Sequence, residues 1–389
     1  MARKSALSRY PAVVALSILA CACKNDADSL EFVQEARPPA VRAGAEPPAG
    51  TGSGLPNRSA KQGLRKPLPA PKAAAPEGGF IQVKMVKKGS SIQSEPPPAP
   101  LRHVKTKLVE FRSAPFPYHG IVPNTGRPFL DVGEDGRHGH RTSGGAVYWE
   151  DRTYNDSRVL LHIPKGFDLR RPALMVVFLH GHGAMLQRDV IDRQRVPEQV
   201  SEAGVNAVLV APQLASDAAD SSAGKLWERG GFQRFLEEAG EQLTKLHGDP
   251  RSKPAFDKMP IVIVAYSGGY MTAASCIRRG GAEHRVRGVV LLDALYGEMD
   301  TFASWISSRQ KAFFLSAYAS STRAHNAELE EMLKGRDVAY NTQLKGPLRS
   351  GSVVFVSTSP DTEHRNFVTR AWAHHPVKDL LQRLRAEAR

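Results

Sequence analysis

Residues 261–270 of this chain read Ile-Val-Ile-Val-Ala-Tyr-Ser-Gly-Gly-Tyr. The first four are β-branched, which is typical of a strand that is buried on both faces of a sheet. Gly268 and Gly269 then permit a tight turn, and the mostly apolar residues 271–276 predict the start of a helix. The ten residues therefore predict a buried strand, a sharp turn that carries Ser267, and a helix.

A serine in such a turn is typical of a nucleophile elbow, usually written Gly-x-Ser-x-Gly. The turn holds the hydroxyl at the carboxyl end of the strand, beside the backbone N–H groups of the helix N-terminus. Ala265 stands where the first glycine is expected. Because alanine is the next smallest residue, the strand and the helix can still pack closely. The alternative interpretation is a glycine-rich loop in which Ser267 has no chemical role.

Short apolar segments alternate with helical patterns along the chain, which predicts an α/β fold with a mostly parallel sheet and helices on both faces. The predicted strands are 158–163, 173–179, 207–210, 261–264, 287–292, 313–317 and 353–357, and the predicted helices include 227–246 and 379–388. We expect residues 101–157 to form an irregular lead-in to a domain that spans 101–389. Ligands gather at the carboxyl ends of parallel strands, so polar residues at these ends are candidates for a site.

The first candidate is the loop His180-Gly181-His182-Gly183, which directly follows the predicted strand 173–179. Closely spaced glycines let backbone N–H groups point inward, which suits an oxyanion hole that stabilises a tetrahedral intermediate. We therefore expect His182, Gly183 and Gly268 to form the oxyanion hole. Tight turns between a strand and a helix also use glycine for structural reasons alone, and that interpretation stays open.

The second candidate is Asp293, which directly follows the apolar strand 287–292 and lies 26 residues after Ser267. Its carboxylate is suited to hold a catalytic histidine in the productive tautomer. An Asp at a strand end also often caps the following helix. Asp300 and Asp361 are alternative acids.

The third candidate is His364, on a polar loop seven residues after the last predicted strand. A general base needs such a position to reach a serine hydroxyl. His374 and His375 are alternative bases. A loop histidine with no role beyond solvation is the simpler interpretation.

From about residue 158 to its C-terminus the chain resembles the α/β-hydrolase superfamily. The resemblance is carried by the His-Gly-His-Gly loop, by the Ala-Tyr-Ser-Gly-Gly elbow and by the chain order Ser267, Asp293, His364. Two departures are the alanine in the elbow and an acid that follows the first strand after the elbow, whereas in many members it follows the second. The resemblance implies a serine hydrolase that acts on an ester, thioester or amide through an acyl-serine, without a cofactor.

A non-catalytic binding or scaffolding module that keeps the hydrolase fold is the alternative function. No separate cap domain is evident, and residues 213–226 and 296–306 are the candidate lids. A metal site is not indicated, because the histidines at 119, 138, 140, 180 and 182 lack the spacing of known zinc signatures. No basic–aromatic interleaving or helix-turn-helix pattern points to DNA or RNA, and nothing in the sequence indicates an oligomeric state.

The N-terminus has the features of an export signal. Three basic residues in the first nine positions precede ten uncharged, mostly apolar residues, 11–20, which fit a signal-peptide core and are too short for a mature membrane span. The following Leu19-Ala20-Cys21 resembles the lipobox of bacterial lipoproteins, in which cleavage precedes a Cys that is then lipidated. We expect residues 1–20 to be a signal peptide and Cys21 to be lipidated. Lipidation of Cys23, or a signal peptide without lipid, are the alternatives.

Residues 21–100 are rich in Pro, Ala and Gly, and they cannot bury enough apolar surface to offset chain entropy, which predicts a disordered tether. The first 100 residues contain 14 Lys and Arg and 7 Asp and Glu, so half of the net charge of +14 lies there. This charge favours contact with anionic lipid or envelope polymer. We expect an exported protein, lipid-anchored on the periplasmic side of a bacterial membrane, with a small-molecule or envelope-polymer acyl substrate. Cys276, the remaining cysteine, is expected to be a buried free thiol.

Overall fold

A central sheet of eight strands forms the middle of the part of the chain that the computed structural model describes, residues 99–385. The expected signal peptide, Cys21, Cys23 and nearly all of the expected tether lie outside these residues. In chain order the strands of the described part are β1 (Lys105–Glu110), β2 (Val132–Glu134), β3 (Arg137–Arg141), β4 (Val147–Trp149), β5 (Arg158–Ile163), β6 (Leu174–Leu179), β7 (Ala207–Pro212), β8 (Ile261–Tyr266), β9 (Val286–Leu292), β10 (Phe313–Tyr318) and β11 (Val353–Ser357).

The eight strands of the main sheet lie in the order β1-β5-β7-β6-β8-β9-β10-β11. β5 is antiparallel to both of its neighbours, and all other pairs are parallel. β8 lies between β6 and β9, so the carboxyl ends of these three strands meet at one edge of the sheet. This mostly parallel sheet, with the elbow strand near its centre, confirms the predicted α/β-hydrolase-like fold class.

Helices cover both faces of this sheet. In chain order the helices of the described part are α1 (Glu150–Thr153), α2 (Val196–Glu202), α3 (Gly231–His247), α4 (Lys253–Lys258), α5 (Tyr270–Arg279), α6 (Met299–Ser308), α7 (Arg323–Lys334) and α8 (Pro376–Arg385). Successive residues of β8 enter different hydrophobic clusters: Ile263 packs with α3 and α5 on one face, and Val264 packs with α2 and α8 on the other. Both faces are apolar, which explains why the strand is an uninterrupted β-branched run.

All seven predicted strands are present, each within two residues of its predicted ends. Two helices begin elsewhere than expected. α3 begins at Gly231 rather than residue 227, because Gly224–Trp227 form a separate 3-10 turn. α8 begins at Pro376, three residues early, since proline fits the first turn of a helix. No helix within residues 99–385 has the length and hydrophobicity that spanning a bilayer requires.

The lead-in contains regular structure, which corrects the expectation that residues 101–157 are irregular. β1 is an edge strand of the main sheet, and β2, β3 and β4 form a separate three-stranded antiparallel sheet. The strands of the small sheet are only three to five residues long, and β2 and β3 carry polar residues and glycine, so no periodic pattern reveals them. An aromatic cluster in which Phe116, Phe129 and Tyr154 are buried against one another supports them.

One side chain of α3 binds the segment of the lead-in that follows β1. Glu238 accepts hydrogen bonds from the N–H of Arg112 at 3.0 Å and from the N–H and the hydroxyl of Ser113 at 2.8 and 2.6 Å. Partial burial acts to raise the pKa of Glu238, but these donors outweigh it and hold the pKa below its ordinary value. The carboxylate is therefore ionised at neutral pH, and its hydrogen bonds are charge-assisted.

Replacing Glu238 with Ala removes the acceptor of all three bonds. We expect Glu238→Ala to lower the free energy of unfolding by about 2 kcal/mol, as measured by urea denaturation. Glu237→Ala, which removes the neighbouring exposed carboxylate of the same helix, is the control and should change stability by less than about 0.5 kcal/mol. Equal losses in the two variants would contradict this role of Glu238.

Candidate active site

The turn after β8 has an unfavourable backbone conformation at Ser267. Its φ is 52°, in the left-handed region that costs an L residue roughly 1–2 kcal/mol. Gly268 and Gly269 do not have positive φ, which corrects the expectation that these glycines make the turn. The serine itself reverses the chain, and the short 3-10 turn Ser267–Gly269 leads directly into α5. This is the strand–turn–helix layout of a nucleophile elbow.

The glycines around Ser267 are required for space. A Cβ on Gly181 would lie 2.6 Å from the Cβ of Ser267. A Cβ on Gly268 would lie 2.5 Å from Nε2 of His182, and one on Gly269 would lie 2.5 Å from the last carbonyl oxygen of β6. These separations are too short for real contacts. Only glycine therefore lets the loop after β6, the serine turn and α5 approach this closely.

The three predicted residues Ser267, His364 and Asp293 meet at the carboxyl edge of the sheet. Nε2 of His364 lies 2.8 Å from Oγ of Ser267, and Nδ1 lies 2.6 Å from Oδ2 of Asp293. An ionised carboxylate only accepts hydrogen bonds, so the ring proton is assigned to Nδ1, which donates a hydrogen bond to Asp293. Nε2 of the neutral imidazole is then an acceptor, and the Ser267 hydroxyl donates to it. A hydroxyl, an imidazole and a carboxylate thus form one continuous line of hydrogen bonds.

Asp293 is fully buried, and two hydroxyls hold its carboxylate. Ser321 donates to Oδ2 and Thr322 donates to Oδ1, each at 2.6 Å, and the N–H of Ala319 lies 3.4 Å from Oδ1. Burial acts to raise the pKa of Asp293, but the hydrogen bonds from His364, Ser321 and Thr322 outweigh it and hold the pKa below its ordinary value. The carboxylate stays ionised at neutral pH, as the orientation of a histidine requires.

Sequence reasoning did not identify Ser321 and Thr322. They follow β10, the strand after which many α/β-hydrolases carry their acid, and here this loop supplies hydroxyl donors to an acid that follows β9. A signal was present, because three hydroxyl residues in a row, 320–322, lie at the carboxyl end of the strand beside β9.

The alternative acids and bases lie elsewhere. Asp300 is exposed in the first turn of α6, and Asp361 is exposed on the loop before His364. His374 forms an isolated backbone bridge with Arg370, and His375 directly precedes α8. The short hydrogen bonds of the His364 ring run instead to Ser267 and Asp293.

The loop after β6 lies against Ser267, but Gly183 does not fit its predicted role. The N–H of Gly183 donates to the carbonyl oxygen of Ala218 at 2.8 Å, and an N–H carries a single proton. This corrects the expectation that Gly183 supplies an oxyanion-hole donor. Gly268 lies in the first turn after β8, where backbone N–H groups lack partners within the helix. The backbone N–H groups of His182 and Gly268 are the remaining candidates.

The imidazole of His182 is connected to the loop after β7. Its Nε2 and the hydroxyl of Ser221 share a hydrogen bond of 2.6 Å. Burial lowers the pKa of His182, although Asp220 acts in the opposite direction. The ring is therefore neutral at neutral pH. The bond fixes the position of His182 beside the turn that carries the serine.

Residues 213–226, one of the candidate lids, are bound to the lead-in. The N–H of Ser216 donates to the carbonyl oxygen of Thr153 at 2.9 Å, and the Tyr154 hydroxyl donates to Asp220 at 3.0 Å. These bonds hold the segment against the small sheet and α1, which is not the arrangement of a movable lid. The other candidate, residues 296–306, is largely α6.

His180 links the loops after β6 and β7. Its Nδ1 donates to the carbonyl oxygen of Gly181, and its Nε2 accepts hydrogen bonds from the N–H of Leu214 and the side-chain amide of Gln213, all at 2.9 Å. Complete burial lowers the pKa of His180 to about 4. The ring is therefore a neutral structural connector.

Residues 99–385 contain no group of three or more His, Cys, Asp or Glu side chains arranged to hold a metal ion. Two of the lead-in histidines have other partners. Nε2 of His119 pairs with Glu150 at 2.6 Å, and Nδ1 of His140 donates to the carbonyl oxygen of Phe129 at 2.7 Å.

Similar solved structures include esterases and other serine hydrolases, at low sequence identity. A feruloyl esterase module from Clostridium thermocellum matches with a TM-score of 0.40 and 14% identity over 69% of this chain and 95% of that one. An S-formylglutathione hydrolase from Agrobacterium tumefaciens matches with a TM-score of 0.37 and 12% identity over 66% of this chain and 96% of that one. An IroE-like serine hydrolase from Shewanella oneidensis matches with a TM-score of 0.38 and 12% identity over 72% of this chain and 79% of that one. No family model and no curated protein sequence matches the chain. Scores this low lend no weight to a particular activity, and the fold assignment rests on the strand order.

The low pKa of His180 predicts an acid-sensitive stability. Below about pH 6.5 the unfolded chain binds a proton at this residue, whereas the folded protein does not until about pH 4. Folding stability therefore falls with decreasing pH across this window, by about 3 kcal/mol from His180 alone. We expect His180→Gln to be less stable at pH 8, because the bond to Gly181 is lost, but to have a flatter stability curve between pH 6.5 and 4.

The measurement is urea denaturation at closely spaced pH values from 4 to 8. His103→Gln, at an exposed histidine outside the site, is the matched control and should follow the wild-type curve. Parallel curves for His180→Gln and the wild type would contradict the assignment of His180 as a buried neutral residue.

Proposed function

We propose that this chain is a serine hydrolase that cleaves an ester, thioester or amide through an acyl-serine intermediate. The observation that carries the proposal is the line of hydrogen bonds from Ser267 through His364 to Asp293, at 2.8 and 2.6 Å. A hydroxyl becomes a nucleophile at neutral pH when an adjacent base accepts its proton. The arrangement supplies this base and, behind it, a buried carboxylate that fixes the tautomer of the imidazole.

In the first half of the reaction, Oγ of Ser267 attacks the acyl carbon while Nε2 of His364 takes the hydroxyl proton. The carbonyl π bond opens, and its electron pair moves to the oxygen. Asp293 stabilises the imidazolium that forms and does not itself become protonated. The electron pair then returns to re-form the carbonyl π bond, and the bond from carbon to the leaving group breaks. His364 donates the proton from Nε2 to the departing oxygen, sulfur or nitrogen, and the acyl group stays on Ser267.

The negative oxygen of the tetrahedral intermediate lies beside the backbone N–H groups of Gly268 and His182. Each well-placed donor of this kind contributes roughly 3–4 kcal/mol to transition-state stabilisation. The Ser221 hydrogen bond to the His182 ring keeps this loop in place. The bond from Gly183 to Ala218 holds the same loop on its other side.

In the second half, water enters where the leaving group has departed. Nε2 of His364 takes a proton from this water, whose oxygen attacks the acyl carbon of the ester on Ser267. Collapse of the second tetrahedral intermediate breaks the bond to Oγ, and His364 returns the proton to Ser267. The products are the free acid and the starting enzyme.

Turnover of short p-nitrophenyl esters tests the nucleophile. We expect Ser267→Ala to lower kcat by about 10⁴-fold or more, with an unchanged thermal melting curve. Ser320→Ala, at an exposed serine near the site, is the matched control and should keep full activity. Unchanged turnover in Ser267→Ala would remove Ser267 as the nucleophile.

A fluorophosphonate probe distinguishes the enzyme from a non-catalytic module. Covalent labelling that is present in the wild type and absent in Ser267→Ala supports the hydrolase. Absence of both labelling and turnover in the wild type would favour a binding or scaffolding module on the same fold.

The proposal includes attachment to the cell envelope through lipid on Cys21. It is supported by the apolar core at residues 11–20 and by the Leu-Ala-Cys sequence that follows. Acyl chains contribute about 0.8 kcal/mol per buried CH₂ group, so several chains on one Cys anchor a protein durably.

Expression of the full chain in a bacterial host tests the anchor. We expect Cys21→Ser to move the protein from the membrane fraction to the soluble fraction and to abolish labelling by a radioactive fatty acid. Cys23→Ser is the matched control and should remain in the membrane fraction. Loss of label in Cys23→Ser but not in Cys21→Ser would show that Cys23 carries the lipid. An unlabelled wild type would exclude a lipid anchor.

A further inference from the structure

Tyr266, the last residue of β8, packs directly against the proposed catalytic base. Its ring is stacked on the imidazole of His364, with ring centroids 5.2 Å apart and planes inclined by 25°. The tyrosine ring is buried in the hydrophobic cluster that lies between the sheet and the helices α2 and α8. One face of the imidazole therefore rests on a side chain that is itself fixed by the core.

The hydroxyl of Tyr266 makes a second contact with the same residue. It donates a hydrogen bond of 3.2 Å to the backbone carbonyl oxygen of His364. Burial raises the pKa of Tyr266 to about 12, although the charge of Arg193 acts in the opposite direction. The hydroxyl therefore remains a donor throughout the neutral pH range. Tyr266 thus holds His364 at two points, the ring face and the backbone.

The turn that carries His364 is closed mainly by bonds within itself. The N–H groups of Asn366 and Phe367 donate to the carbonyl oxygens of residues 363 and 364 at 2.9 and 3.2 Å. Glu363 and Arg365, the residues on either side, are exposed and pair with each other at 2.7 Å. Arg193 donates to the carbonyl oxygen of Arg365 at 3.4 Å, which is a weak bond. The chain becomes buried again at Phe367. The position of the ring therefore depends on its contacts with the ends of β8 and β9.

A second tyrosine borders the other side of the ring. The hydroxyl of Tyr296 lies 3.4 Å from Nδ1 of His364, and the two rings meet edge to face with centroids 6.1 Å apart. Tyr296 thus lies beside the bond between His364 and Asp293, whereas Tyr266 covers the ring face. Together the tyrosines leave the imidazole few alternative orientations.

We propose that Tyr266 is a positioning residue that holds His364 over Ser267, an inference that rests on the proposed function and deepens it. Tyr266 and Ser267 are consecutive residues, so the side chain that fixes the base shares a backbone with the nucleophile. A small movement of the turn at Ser267 therefore also moves Tyr266, and with it the His364 ring that Tyr266 contacts. The ring face also attracts the imidazolium that forms when Ser267 loses its proton, since aromatic faces bind cations.

Two substitutions separate the ring from the hydroxyl. Tyr266→Phe keeps the stacked ring and loses the bond to the backbone, so we expect a fall in kcat of about fivefold, the equivalent of one neutral hydrogen bond. Tyr266→Leu loses both contacts, and we expect a fall of about 100-fold, as for a misplacement of about 1 Å. KM for p-nitrophenyl acetate should stay within about twofold in both variants, because the acyl site is not altered.

Tyr318→Leu is the matched control. Tyr318 is the last residue of β10, as Tyr266 is of β8, and it is partly buried. Its ring lies against Arg323 rather than against the histidine. We expect this variant to keep the wild-type kcat. A kcat of Tyr266→Leu within threefold of the wild type would overturn the proposal. The proposal would also be overturned if the fall in kcat of Tyr266→Leu were fully explained by a smaller folded fraction, as measured by a melting curve. An equal fall in kcat in Tyr318→Leu would overturn it as well.

A second measurement does not depend on turnover. The proton on Nδ1 of His364, bonded to Asp293 at 2.6 Å, should give a slowly exchanging downfield signal in NMR spectra of ¹⁵N-histidine-labelled protein. His364→Gln assigns the signal by its disappearance. We expect the signal to persist in Tyr266→Phe and Tyr318→Leu and to be lost in Tyr266→Leu through exchange with water. Its persistence in Tyr266→Leu would overturn the proposal.

The two measurements separate the possible failures. A wild-type protein that hydrolyses no ester and reacts with no fluorophosphonate would contradict the proposed function, and the NMR comparison would still decide the role of Tyr266. If Tyr266→Leu does not fold, the fivefold fall in kcat at constant KM in Tyr266→Phe decides it instead. An unchanged kcat in Tyr266→Phe would then overturn the proposal.

Discussion

The left-handed backbone conformation of Ser267 is the constraint on which the rest of the site depends. Such a conformation is unfavourable for any residue with a side chain, so it persists only where the structure on both sides of the turn is fixed. β8, a strand in the middle of the sheet, fixes the chain before the turn, and α5 fixes the chain after it. Asp293 also has a positive φ, 44°, at the end of the adjacent strand. Each of the neighbouring parallel strands β8 and β9 is thus followed directly by a strained residue, Ser267 or Asp293. These are the two residues that the His364 ring connects.

Support for these residues comes from parts of the chain that are remote in sequence. The loop after β10 holds the carboxylate of Asp293, and Tyr266 holds the ring of His364. The segment after β7 holds the ring of His182 through Ser221, and the lead-in in turn holds that segment. The lead-in precedes the region that resembles the α/β-hydrolases, yet it holds the segment that binds the loop beside the serine. The site is therefore a product of the whole described domain.

Seven of the eight strands of the main sheet and the three residues of the proposed triad could be predicted from the sequence for physical reasons. Strands buried on both faces are continuous apolar runs, and the carboxyl ends of parallel strands converge, so Ser267, Asp293 and His364 were each found at or after a strand end. The remaining features depend on contacts that spacing does not encode. The N–H of Gly183 donates to the carbonyl oxygen of Ala218, and the hydroxyl donors to Asp293 come from the loop after another strand, β10. The small antiparallel sheet of the lead-in has strands too short to show a period, and its stability lies in aromatic packing.

The arrangement around Asp293 has a consequence for how such proteins diverge. Ser321 follows the strand beside Asp293, and a single hydrogen bond of 2.6 Å separates its hydroxyl from the carboxylate oxygen that faces the histidine. A lineage that exchanged the two side chains, acid for hydroxyl and hydroxyl for acid, would leave the negative charge almost where it was. Relocation of the acid between neighbouring strands is therefore a short evolutionary step of two substitutions, with no change in the order of the sheet.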